Sequence, residues 1–151
     1  MLDSFDRRIL TTLQVDGRIQ NKDLADRIGL SAAPCLRRTR ALERRGIIER
    51  YSAVVAPQKI GLSLVILSSV RLKSQEREAT QAFETAVAAW PNIVECHVMT
   101  GAFDYLLKIV ARDIADYESF LMSRLTRLKP VEKVESFVIM RTVKQSAIIP
   151  V

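Results

Sequence analysis

The chain has 151 residues, 48% of them hydrophobic, enough to bury one core or two small ones, and a formal charge of +6. Two cysteines 61 positions apart and a single histidine cannot assemble a nitrogen–sulfur metal site, and no stretch approaches the roughly 18 apolar residues of a membrane span. The opening residues hold no basic region followed by an apolar run, so a cytoplasmic chain with reduced cysteines is expected, and the positive balance favours a polyanionic partner.

Asp3 is placed as the N-cap of a first helix in which Phe5, Ile9, Leu10 and Leu13 recur at helical spacing until Asp16 and Gly17. A second, short helix follows Gln20 and Asn21, carries Leu24, Ala25 and Ile28 on one face, and closes at Gly29. Ser31 offers an N-cap oxygen to a third helix whose first turn accommodates Pro34 and which runs to Arg45, with Gly46 ending it. The turn Gly29-Leu30-Ser31 has the length that sets two helices at a steep angle in a helix-turn-helix.

On the third helix Cys35, Arg38, Thr39 and Leu42 form one stripe suited to packing. Ser31, Ala32, Ala33, Leu36, Arg37, Arg40 and Arg44 stand away from it and are the candidate DNA-binding residues. Small residues in the first turn allow close approach to a groove, and Arg37 and Arg40 project from one side, where each can grip a guanine edge or a phosphate. An exposed arginine face is commonly only a solvated one. Here 11 of the 23 Lys/Arg but 7 of the 17 Asp/Glu fall in residues 1–57, and residues 37–50 hold six arginines against two glutamates. That excess suits phosphates better than a lattice of ion pairs.

After Gly46 the sequence is β-rich to Pro57, read as a strand and then a hinge near Gly61. Beyond it the periodicities predict a strand over 63–72, a helix over 75–90, strands over 93–100 and 105–110, a helix over 114–128 and a strand over 133–143. The order βαββαβ is that of a ferredoxin-like sandwich, giving an α+β chain overall. Trp90 and the Phe/Leu stripes are read as helix-to-sheet core. Helices on one side leave the other sheet face bare, and its apolar content calls for another subunit. A two-fold dimer would set two recognition helices about 34 Å apart on successive major grooves.

His97 beside Cys96 suggests a catalytic pair, but successive strand residues face opposite sides. No phosphate loop, paired-carboxylate motif or nucleotide fingerprint is present, so no catalytic, metal or cofactor residue is assigned.

The first half carries Leu2-Asp3-x-x-Asp6-Arg7-x-Ile9-Leu10, Gly17-Arg18-Ile19, Gly29-Leu30-Ser31-x-x-Pro34-Cys35-Leu36-x-Arg38 and Leu42-Glu43-x-x-Gly46-x-Ile48. The second half carries Glu95-Cys96-His97, Thr100-Gly101-x-x-Asp104-Tyr105 and Val143-Lys144-Gln145-Ser146. With these motifs in this order the chain resembles Lrp/AsnC (feast/famine) transcriptional regulators along nearly its whole length. The resemblance implies a winged helix-turn-helix in residues 1–50, a hinge strand and linker in 51–61, and an effector-binding, oligomerising domain in 62–151. It implies double-stranded DNA and a small amino acid as partners, with homodimers assembling into octamers or similar rings. Thr100, Gly101, Ala102, Phe103 and Asp104 are carried over as effector contacts, with Phe137, Val138 and Ile139 on the last strand. Turn N–H groups at Gly101 suit a carboxylate, and Asp104 suits an ammonium group. Many members have an acidic residue where this chain has Ala102, which leaves the effector's identity open.

The expected function is a sequence-specific DNA-binding regulator, not an enzyme, whose binding or assembly responds to an amino acid. An architectural protein that wraps DNA without a ligand is the alternative, and an amino-acid-binding module with a vestigial DNA domain is a third.

Overall fold

The computed structural model describes residues 2–146 and 148–151. The chain divides into two compact units, one of Met1–Val54 with Val143–Val151, the other of Val55–Thr142. Residues 143–151, expected within the second domain, group with the first unit.

In the first unit α1 spans Ser4–Val15, α2 Asn21–Ile28 and α3 Ala32–Arg44. A capping box starts α1: the Asp6 N–H donates to Asp3 Oδ1 at 2.9 Å, and the Asp3 N–H to Asp6 Oδ2 at 3.4 Å. Gly29 closes α2 at φ 77°, a left-handed conformation that a side chain would oppose, and the Leu30 N–H reaches back to the Ala25 carbonyl at 2.9 Å. Ser31 holds the N-cap position of α3, but its side chain makes no capping bond. Ile9, Leu10, Leu24, Ala25, Ile28, Cys35 and Leu42 form the core. Full burial of a side chain such as Ile9, Ile28 or Leu42 stabilises by about 1.5–3 kcal/mol.

No strand forms over 47–56 among the described residues; Pro57–Ile60 is a single 3-10 turn. The β-rich composition there meets no ladder partner among the described residues, and Val54 is left 88% exposed.

The second unit runs β1 (Leu64–Leu72), α4 (Arg77–Ala88), β2 (Ile93–Val98), β3 (Tyr105–Ala111), α5 (Ile114–Ser123) and β4 (Val131–Val138). The sheet order is β2-β3-β1-β4 with every pair antiparallel, the ferredoxin-like arrangement. Helix α5 stops short of the expected Leu128 because Arg124 leaves helical geometry and Leu125–Arg127 tightens into a 3-10 turn, which buries Leu125. Strand β4 starts at Val131, opposite Leu72, and pairing reaches only the Ile139 N–H on the Val65 carbonyl, so residues beyond 139 have no edge to extend along.

Ile66, Val70, Leu72, Phe83, Val87, Tyr105, Leu107, Ile109 and Tyr117 fill the helix side of the sheet. The Phe83 and Tyr105 rings pack at 4.6 Å, and Trp90 meets Phe120 edge-on at 5.3 Å. Buried Ser68 is satisfied by the Tyr117 hydroxyl at 2.9 Å. The opposite face carries Val65, Leu67, Ser69 and Arg71 of β1, Leu106 and Lys108 of β3, and Lys133, Glu135 and Phe137 of β4, as the register and strand alternation require. Within this unit neither α4 nor α5 covers it, since both pack on the other side.

Candidate DNA interface and effector site

Two side chains outside the core, Asn21 and Arg38, fix α3, and a third, Arg8, steadies the end of α2 before it. The Asn21 amide donates to the Ala32 carbonyl at 2.9 Å, tying the start of α3 to the start of α2. Arg8 of α1 donates to the Ile28 carbonyl at 3.3 Å, satisfying the C-terminal end of α2. Arg38 donates from Nη1 to Asp3 Oδ2 at 2.6 Å and to Asp6 Oδ1 at 2.9 Å, and its guanidinium lies 5.5 Å from the Phe5 ring centroid. The Asp6 N–H, and then Arg38, hold the Asp3 carboxyl below its ordinary value against the opposing cost of burial; both carboxylates raise Arg38 in return. Arg38 is thereby committed to the fold. Helical spacing alone puts Arg38 on the packing stripe; its partners are signalled only by the two aspartates, three apart, at the start of α1.

Ser31, Ala32, Ala33, Leu36, Arg37, Arg40 and Arg44 are all exposed. Ala33, Arg37, Arg40 and Arg44, at steps of four, three and four, share the face opposite Cys35, Thr39 and Leu42. Among the described residues no carboxylate pairs with Arg37, Arg40 or Arg44. The result is a short helix locked on its inner side, with three free guanidinium groups and a small-residue first turn on its outer side. Such a face suits a phosphate-lined groove.

In the second unit the 100–104 turn closes the β2–β3 hairpin. The Met99 N–H donates to the Asp104 carbonyl at 2.8 Å, and the Asp104 N–H to the Val70 carbonyl at 2.9 Å. Gly101 has φ 124°, a conformation in which a side chain would be strained. Asp104 Oδ2 accepts the Leu72 N–H at 2.7 Å, and Oδ1 accepts the Gln75 amide at 2.8 Å. Both oxygens are thus engaged in holding the turn to the end of β1. The Arg71 guanidinium donates to the Ala102 carbonyl.

Ala102 and Phe103 line a cavity of about 70 Å³ together with Ser69, Arg71, Lys133 and Glu135. Arg71, Lys133 and Glu135 were missed by sequence reasoning, because only the β1–β4 register brings them beside the turn. A second cavity, of about 190 Å³, lies against Leu72, Gln75, Thr80, Val98, Met99, Asp104 and Tyr105. Phe137 shares the open face with Glu135, one pleat further from the turn, and is 55% exposed. Val138 points to the helix side and Ile139 lies past the end of β4, so these three residues do not form one patch.

His97 and Cys96 diverge as expected: Cys96 pairs with Leu107 and His97 with Leu106, on opposite faces. His97 Nε2 lies 3.4 Å from Glu95, which Lys108, ahead of His97, holds below the usual carboxylate range. Among the described residues no group of three or more His, Cys, Asp or Glu could hold a metal ion, and no helix is long and apolar enough to cross a membrane.

Residues 2–49 match the family described as winged helix-turn-helix DNA-binding, and residues 66–149 match the Lrp/AsnC ligand binding domain. The chain is 43% identical over 145 residues to the leucine-responsive regulatory protein of Escherichia coli K12, covering 96% of this chain and 88% of that one. Among solved structures, a transcriptional regulator of Neisseria meningitidis in complex with L-Met superposes with a TM-score of 0.96 at 32% identity, over 99% of this chain and 97% of that one. An AsnC family transcriptional regulator of Agrobacterium tumefaciens gives 0.93 at 34%, with the same coverage.

Proposed function

Because the chain belongs to the Lrp/AsnC family of transcriptional regulators, we propose that it reads its operator with the outer face of α3 and that a small amino acid bound at the 100–104 turn alters that binding or the assembly that presents it. The protein is a DNA-binding transcriptional regulator rather than an enzyme. The observation that carries the DNA half is the unpaired trio Arg37, Arg40 and Arg44 on a helix whose inner side is fixed by Asn21, Asp3 and Asp6. Ser31, Ala32, Ala33 and Leu36 flank it and allow the backbone to approach. Residues 51–61 serve as the connector, and a cytoplasmic setting follows from sharing a compartment with DNA.

The sensing half rests on the turn. The cavity beside Ala102 and Phe103 has room for about two water molecules, too little for an amino acid. We therefore place the ligand where a second copy adds a wall, with Thr100 and Gly101 presenting backbone N–H groups to its carboxylate and Phe137 contacting it from the sheet. Asp104 shapes the turn, and Arg71 or Glu135 supplies the nearby charge. The open sheet face, with Leu67, Leu106 and Phe137, is the surface for a homodimer, which then assembles into an octamer or similar ring.

Footprinting tests the reading. Protection confined to spaced, related half-sites, changed in strength or extent by one of the twenty amino acids, is expected; uniform protection of random DNA and no response to any of them would favour an architectural protein instead.

A further inference from the structure

The chain crosses between its two units twice, after Val54 and before Val143. Within the helix-turn-helix unit both leads line one groove of about 430 Å³: Leu10 and Leu13 of α1 lie in it with residues 47–52 of the outgoing lead and with Ile149 and Val151 of the returning one. The Gln14 side chain meets the Ile149 backbone at two points. Its Nε2 donates to the Ile149 carbonyl at 3.0 Å, and its Oε1 accepts the Ile149 N–H at 2.6 Å. One amide side chain thus supplies the pairing that a neighbouring strand would give an extended peptide. Ile149 and Val151, two residues apart, both line the groove, as alternate residues of an extended segment do. The outgoing lead is held as well: the Tyr51 hydroxyl donates to Glu43 of α3 at 3.0 Å, and its ring lies where a side-chain carbon on Gly17 would meet it at 3.6 Å.

We propose that this groove is a docking site for the chain's own residues 148–151, and that the seated segment is a releasable second tether on the DNA-reading unit. The backbone clasp sets register, and the apolar lining selects the side chains at 149 and 151. Ile149 remains 67% exposed and the groove is not filled, so the seat is shallow and opens readily. Release of the segment frees α1 and residues 47–52 to move, which gives the second unit a covalent handle on the first besides the 51–61 connector. Only the consequence for operator binding rests on the regulator reading above; the docking itself does not.

Hydrogen exchange on the full chain tests it, beside a chain lacking residues 148–151 and beside Gln14→Leu. Amides of the last turn of α1 and of residues 47–52 exchange roughly threefold to tenfold faster in both variants, while those of β1 and β3 are unchanged. Unaltered exchange at both places in both variants would overturn the proposal. To establish that the tail is the chain's own, Gln14→Cys and Ile149→Cys are combined with Cys96→Ser and treated with a short bifunctional thiol reagent. A product of one-chain mass is expected; a two-chain product, or none, overturns the intrachain seat. Loss of operator binding with these outcomes intact would bear on the regulator reading alone.

Discussion

Arg38, midway along α3, donates to the carboxylate of Asp6 at 2.9 Å, and Asp6 is itself 8% exposed. The pair couples the roll of α3 to the first turn of α1. Replacing Arg38 with Met leaves a nearly buried carboxylate without its cation and should cost about 1–3 kcal/mol in denaturant or thermal unfolding. Arg37→Met, on the solvent side, should stay within about 0.5 kcal/mol of the parent. The same substitution acts on the acid limb of stability. Asp3 has its folded value depressed below 3.8, so its contribution is present above pH 3.8 and is lost as the pH falls through the lowered folded value; Arg38→Met should shrink that acid-dependent part.

At the start of α5 the Arg112 side chain, at 2.7 Å, and its backbone N–H, at 3.0 Å, pull the Asp116 carboxyl down from 3.8 to about 2. The depressed value means that the contribution exists above pH 3.8 and is lost between 3.8 and about 2. In Arg112→Ala the backbone N–H stays, so carbon-detected titration of Asp116 should give a midpoint between those two values.

Asp104 holds the turn through the Leu72 N–H and the Gln75 amide. Asp104→Ala removes both acceptors, with an expected loss of about 1–2 kcal/mol of stability and weaker ligand binding by calorimetry. Gln75→Ala removes only the exposed bond and should leave stability within about 0.5 kcal/mol of the parent, with a smaller loss of ligand affinity.

A charge in the middle of the uncovered sheet face should prevent a second copy from seating there. Leu106→Glu is expected to lower the mass seen in sedimentation while leaving the far-ultraviolet circular dichroism of the chain intact, since Leu106 lies on the sheet face opposite α4 and α5.

The helical elements of the first unit were legible because their signals are local: Asp3, Gly29 and the helical recurrences Ile9-Leu10-Leu13, Leu24-Ala25-Ile28 and Cys35-Thr39-Leu42 each lie within the helix they mark or at its end. The ferredoxin-like order was legible from alternating periods. Strand and helix ends were not, because they depend on distant partners. Strand β4 is cut where β1 stops offering an edge, and residues 47–56 stay unpaired although their composition is β-like. The exposed arginines of α3 were found from spacing alone. The polar lining at Arg71, Lys133 and Glu135 needed the sheet register, and the Gln14 clasp on Ile149 joins residues 135 positions apart that no local pattern links.

The most direct test is equilibrium binding of the Arg37→Ala, Arg40→Ala double variant to a site selected from random duplex DNA, measured beside the parent at several salt concentrations. Loss of specific affinity by about tenfold or more, a salt dependence shallower by about one counterion for each arginine that contacts phosphate, and an unchanged unfolding midpoint are predicted. Undiminished affinity with the same salt slope would contradict the assignment of the outer face of α3 to DNA.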